Sequence, residues 1–141
     1  ACGRLAERFE REVIYPMHPR TKSKVGSIAI PRGVKVMAPL GFYDWNRLLK
    51  ESYCVLSDSG TAAEEGLFYR VPNVALRMAT ERPETVESGS TIVSGMDLDN
   101  IVESVTTAVT EPWGARYEFE EGYSPSNVVI NAIRSQITNF F

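Results

Sequence analysis

The sequence predicts an α/β fold in which parallel strands are covered by helices on both faces. Short apolar runs of three to five residues alternate with longer segments that carry apolar residues at helical spacing. The runs are almost continuously apolar, which is typical of strands buried on both faces. A length of 141 residues without an internal repeat indicates one doubly wound domain.

The predicted elements follow one another in a regular order. Strands are predicted at 13–15, 34–38, 53–56, 73–77 and 91–93. Helices are predicted at 3–12, 43–52, 61–69, 98–110 and 126–138. Asp44 is a candidate N-cap for the second of these helices. Residues 21–24 suit a turn or short helix, and 111–123 suit a loop because they contain Pro112, Gly114 and Gly122.

Composition excludes several classes of function. Fifteen basic and eighteen acidic residues give a net charge of −3, so the chain has no overall basic excess of the kind expected of a nucleic-acid-binding protein. Two cysteines and one histidine are too few for a disulfide framework or a zinc site, and we expect no metal and no cofactor. No run approaches the roughly 20 apolar residues of a membrane span. A cytoplasmic location is therefore expected.

Ligands of open α/β sheets bind beyond the carboxyl ends of the strands, which directs attention to the loops there. The loop at 57–61 combines hydroxyl groups with a glycine: Ser57, Ser59, Gly60 and Thr61. The following helix would point its unpaired N–H groups at this loop, an arrangement that suits phosphate. The alternative is an ordinary strand-to-helix turn, with Ser59 as N-cap and Glu64 and Glu65 complementing the helix dipole.

Other candidates also carry two interpretations each. Arg77 and Arg82 follow a buried strand and suit phosphate, but they also suit ion pairs with nearby glutamates. His18 follows the first strand and suits phosphate binding or proton transfer, or it is an ordinary loop residue. Trp45 suits stacking on a base, or packing in the core. Cys54 is expected to be inert because it lies in a buried strand.

Taken together, these segments resemble the non-hydrolysing UDP-N-acetylglucosamine 2-epimerase family. The matching strings are YPMHPRT, APLGFYDW, VLSDSGTAAEE and ALRMATERPETVESG, in this order between residues 15 and 89. The resemblance implies a Rossmann-like domain, one half of a two-domain glycosyltransferase-B-type architecture. It covers only the C-terminal domain, residues 1–141, so we expect a fragment without the N-terminal domain.

The resemblance also implies roles for individual residues. It assigns the pyrophosphate to Ser59, Gly60 and Thr61, although most family members have glycine where Thr61 stands. It assigns the ribose hydroxyls to Glu65, the phosphates to Arg82 and the uracil to Trp45. His18 matches a histidine that contacts a second, regulatory UDP sugar in some members.

The activity implied by the resemblance is inversion of sugar carbon 2 through elimination and re-addition of UDP, in cell-surface polysaccharide precursor synthesis. The family's catalytic carboxylates belong to the N-terminal domain, so this fragment has no catalytic residue and is expected to be inactive alone. A homodimer is expected for the complete protein. The alternatives are a UDP-sugar glycosyltransferase, a sugar kinase suggested by Asp58-Ser59-Gly60-Thr61, and a UDP-sugar-binding regulatory module.

Overall fold

The computed structural model describes residues 1–26, 28–111 and 125–138. Five strands lie in this part of the chain: β1 (Val13–Pro16), β2 (Val34–Met37), β3 (Val55–Ser57), β4 (Asn73–Ala75) and β5 (Thr91–Val93). The helices are α1 (Cys2–Phe9), α2 (Pro19–Val25), α3 (Phe42–Lys50), α4 (Gly60–Tyr69), α5 (Pro83–Glu87), α6 (Leu98–Thr110) and α7 (Pro125–Thr138). The loop predicted at 111–123 lies, apart from Glu111, outside the described residues.

All described strand pairs are parallel, and they fall into two groups. β1 pairs with β2, while β4 lies between β3 and β5. Each strand is joined to its neighbour through a helix, as parallel pairing requires. The predicted α/β class with parallel strands and flanking helices is therefore confirmed.

Two apolar clusters show that helices cover both faces of the β3–β5 sheet. In the first, Val74 of β4 packs with residues of α1 and α6: Leu5, Ile101, Val102, Val105 and Ala108. In the second, Val55 of β3 packs with Leu49 of α3, Ala62 of α4 and the nearby Val71. Leu56 contacts the first cluster, so successive β3 side chains point to opposite faces as the pleat demands.

Local differences from the predicted elements have simple causes. The prediction of Asp44 as N-cap was wrong, because α3 begins at Phe42 with Gly41 as its N-cap, and Asp44 lies in the first turn. β4 ends at Ala75 rather than at Arg77, because the N–H of Arg77 turns back to the carbonyl of Ala75 at 2.9 Å. The short helix α5 was not predicted, although Pro83 stands at a position where proline favours a helix start.

The second cluster generates a stability prediction. Leu49 is only 1% exposed, and Leu49→Ala would leave a cavity between α3 and the sheet. We expect a loss of about 3 kcal/mol in the free energy of unfolding, measured by urea denaturation. Leu98→Ala is the control, because this leucine is 41% exposed, and its loss should stay below about 1 kcal/mol. Equal losses in the two variants would contradict this assignment of the core.

Candidate functional site

The candidate site lies at the carboxyl ends of β3 and β4, where two loops meet. β3 ends at Ser57, and α4 begins three residues later at Gly60. β4 ends at Ala75, and its loop runs to Arg82 before α5 begins. The N–H of Leu76 donates to the carbonyl of Ser57 at 3.1 Å, which joins the two loops at their base. Two of the loops in which the sequence placed candidate ligand-binding residues, those after β3 and β4, are thus neighbours.

The start of α4 presents backbone N–H donors to which the side chain of the N-cap residue makes no hydrogen bond. Ser59 occupies the N-cap position but makes no capping hydrogen bond through its side chain. Its own N–H donates to Oγ of Ser57 at 3.0 Å. The first N–H groups of a helix have no intrahelical partner and lie at the positive end of the helix dipole. Thr61 adds an exposed hydroxyl side chain in the same turn.

Arg82 places a cation directly beside this helix start. A β-carbon built on Gly60 would lie 3.4 Å from Nε of Arg82 and 3.6 Å from Cζ. Nε also forms an ion pair with Glu64, although the N–H is not aligned as a hydrogen bond. Gly60 and Glu64 are four residues apart and share one face of α4, so a single guanidinium covers both.

Arg77, the other arginine of this loop, is engaged differently. Its Nη1 donates to Oε1 of Glu81 at 3.0 Å and lies 2.8 Å from Oε2. The hydrogen bond from Arg77 is the main reason that the pKa of Glu81 lies below its ordinary value of 4.5. For Arg77 the structure therefore supports the ion-pair interpretation. Arg82 is the cation at the start of α4.

Trp45 and Glu65 form the other end of the site. Nε1 of Trp45, on α3, donates to Oε2 of Glu65, on α4, at 2.7 Å. The tryptophan also packs against the second core cluster, and both side chains are half-buried. This contact was not predicted, because 20 residues separate the partners and no local pattern connects two different helices.

His18 stands apart from these residues. It follows β1 and is the N-cap of α2, where its Nδ1 accepts from the N–H of Arg20 at 3.2 Å. Its ring is exposed. Within the described ranges, no recorded contact joins His18 to Arg82, Trp45 or Glu65. The structure therefore gives His18 a capping role at the start of α2.

The remaining candidates contribute no reactive group. Burial raises the pKa of the Cys54 thiol to about 12, so it stays protonated and unreactive at neutral pH. Among the residues that the structure describes, no group of three histidine, cysteine, aspartate or glutamate side chains is placed to hold a metal ion. In the same ranges, no helix combines the length and apolar character needed to cross a membrane.

Comparison with known proteins extends the sequence resemblance. Residues 1–130 match the family described as UDP-N-acetylglucosamine 2-epimerase. The UDP-N-acetylglucosamine 2-epimerase of Methanococcus maripaludis is 30% identical over 139 residues, which cover 94% of this chain and 38% of that protein. The UDP-2,3-diacetamido-2,3-dideoxy-D-glucuronate 2-epimerase of Pseudomonas aeruginosa is 36% identical over 97 residues, or 69% of this chain and 27% of that protein.

A solved structure supports the same relationship. The UDP-GlcNAc 2-epimerase of Methanocaldococcus jannaschii, crystallised in complex with UDP-GlcNAc and UDP, superposes with a TM-score of 0.78 at 28% identity. The superposition covers 93% of this chain and 38% of that one. The chain thus spans about 38% of the length of the first relatives that it matches.

The Arg77–Glu81 contact generates a titration prediction. A carboxyl whose pKa is lowered by folding stabilises the fold above its unfolded pKa, and this contribution disappears as the pH falls through the folded pKa. In carboxyl ¹³C NMR titrations, Glu81 should titrate below 4.5, and Arg77→Gln should return its pKa towards that value. Arg47→Gln, which removes a pair with Glu51 on α3, is the control and should leave Glu81 unchanged.

Proposed function

The chain belongs to the UDP-N-acetylglucosamine 2-epimerase family, and from this premise we propose that it is the UDP-binding domain of an enzyme that inverts carbon 2 of a UDP-N-acetylhexosamine. The observation that carries the proposal is the position of Arg82 against Gly60, the first residue of α4. A guanidinium and a helix N-terminus at one place favour a diphosphate. The family match favours this function over that of a glycosyltransferase.

The proposed binding mode follows the axis of α4. The diphosphate contacts Ser59, Gly60 and Thr61 through backbone N–H groups and hydroxyls, and the absence of a side chain at Gly60 allows close approach. Thr61 and Glu65 are four residues apart, so they share a face about 6 Å apart along the helix. This spacing suits a ribose at Glu65 when the diphosphate lies at Thr61. The uracil then lies towards Trp45.

Arg82 changes partner in this proposal. Its ion pair with Glu64 is about half-exposed, so it contributes little stability and yields at little cost to a ligand of higher charge. A diphosphate accepts two parallel N–H bonds from a guanidinium, which a single point charge does not match. Arg82 is thus held near the helix start by Glu64 until the diphosphate replaces that carboxylate.

The proposed chemistry needs a stabilised leaving group. A base removes the proton at sugar carbon 2, the bond between carbon 1 and the UDP oxygen breaks, and its electron pair leaves with UDP, which gives a glycal. UDP then adds back to carbon 1 while carbon 2 receives a proton on the opposite face. In this chain, Arg82 and the first N–H groups of α4 stabilise the charge that develops on the diphosphate. The proton-transferring carboxylates belong to the remainder of the complete protein.

Further assignments complete the proposal. The substrate belongs to cell-surface polysaccharide precursor synthesis in the cytoplasm, and the complete protein is a homodimer.

His18 contacts a second, regulatory UDP sugar, separate from the β3–β4 site. The neighbouring Arg20, Lys22 and Lys24 support an anion there, since all three are exposed on α2.

Binding of UDP is the first test. In calorimetric titrations of the chain with UDP, we expect saturable binding that Arg82→Ala weakens about tenfold or more, because a hydrogen-bonded charge contact to the diphosphate is lost. Arg47→Ala removes an exposed arginine from α3 and is the matched control, with affinity unchanged. The proposal is contradicted if the folded chain does not bind UDP, or if Arg82→Ala binds UDP as tightly as the wild-type chain.

Turnover is the second test. The chain alone should not exchange the carbon 2 proton of UDP-N-acetylglucosamine with deuterium from D₂O, because it lacks the proposed acid and base. A protein of the full family length that contains these residues should catalyse the exchange and interconvert the two epimers. Deuterium at carbon 2 is read by NMR. Epimerisation by the 141-residue chain itself would contradict the division of roles proposed here.

A further inference from the structure

One hydrogen bond links the two helices that border the site. Nε1 of Trp45 lies 2.7 Å from Oε2 of Glu65. The indole N–H donates only and the carboxylate accepts only, so the direction of this bond is fixed. Its length is that of a charge-assisted hydrogen bond, the stronger class. The bond therefore restricts the Glu65 side chain through one of its two oxygens.

The donor is itself held in place. Trp45 packs against the core cluster around Leu49, which lies one helical turn further along α3 and is 1% exposed. An aromatic ring anchored in this way has little rotamer freedom, so its N–H points in a constant direction. A glutamate on a helix surface has three rotatable bonds and otherwise samples several rotamers. Packing against the core cluster thus restricts the indole of Trp45, and the indole N–H in turn restricts the carboxylate of Glu65.

The second carboxylate oxygen is the one available for a ligand. Within the part of the chain that the structure describes, Oε1 of Glu65 accepts no recorded hydrogen bond, and the side chain is half-buried rather than enclosed. An ionised carboxylate has about four acceptor positions on its two oxygens. Engagement of Oε2 by Trp45 leaves Oε1 to accept from neighbouring hydroxyl groups.

We propose that Trp45 is a positioning residue, whose indole N–H holds Glu65 in the rotamer that accepts hydrogen bonds from the ribose hydroxyls of UDP. This inference rests on the proposed function. It assigns Trp45 an effect on ribose recognition that acts through Glu65, in addition to any contact of its ring with the uracil. Phenylalanine at this position would keep an aromatic ring against the core cluster and remove the N–H that orients the carboxylate.

The test separates ribose recognition from all other contacts. UDP and 2′,3′-dideoxy-UDP are each titrated into the wild-type chain and into Trp45→Phe. We expect Trp45→Phe to weaken UDP about tenfold more than the dideoxy ligand, a difference equivalent to about 1.4 kcal/mol, because any contact of the ring with the uracil is common to both ligands. In a Glu65→Ala background, Trp45→Phe should affect the two ligands equally, since the residue on which the indole N–H acts is gone.

A second replacement covers the case in which Trp45→Phe does not fold. In a Trp113→Phe background, biosynthetic incorporation of benzothienylalanine replaces the indole N–H of Trp45 by sulfur at almost constant ring size. The same selective loss of UDP affinity is expected. Circular dichroism and thermal melting establish that each variant is folded.

The outcomes distinguish this inference from the proposed function. Equal weakening of both ligands, or unchanged UDP affinity without the N–H, overturns the positioning role while UDP binding itself stands. A folded wild-type chain that binds neither ligand overturns the proposed function and this inference together. A loss that is larger for UDP than for the dideoxy ligand, with no such difference in the Glu65→Ala background, supports it.

Discussion

Close packing of α4 on the sheet is the constraint on which the site depends. The buried face of α4 carries Ala62, Ala63 and Gly66, which are small enough to bring the helix close to the strands. A β-carbon on Gly66 would lie only 3.1 Å from the carbonyl oxygen of Val71. A larger residue there would require the helix or the backbone at Val71 to shift by a few tenths of an ångström.

The charged groups around α4 are already paired before any ligand arrives. Arg82 lies against Glu64, Arg77 against Glu81, and Glu65 against the indole of Trp45. The first two pairs are about half-exposed, so water and salt weaken them and a ligand can replace one partner. The third involves the half-buried indole of Trp45, which packs against the second core cluster. The site thus combines an exchangeable cation for the anionic part of a ligand with a rigid acceptor for its hydroxyl groups.

The sequence predicted some elements almost completely and others only approximately. β5 and α6 have the predicted limits, because a turn precedes β5 and the Asp97 side chain caps α6 by accepting from the N–H groups of Asp99 and Asn100 at 3.0 Å. The start of α3 was misplaced, because a glycine N-cap leaves no side-chain signal. The end of β4 was misplaced because the apolar run continues through Leu76 after the backbone has turned.

What the sequence determined by itself is the α/β class, the order of elements and the segments at the carboxyl ends of the strands, because each of these depends on local periodicity and turn chemistry. The motif strings also carried the family resemblance. The tertiary structure alone decided that Arg82 covers Gly60. It also joined Trp45 to Glu65. Those contacts depend on how separate helices and loops pack on a common sheet, and a pattern within one segment contains no information about the distance to another.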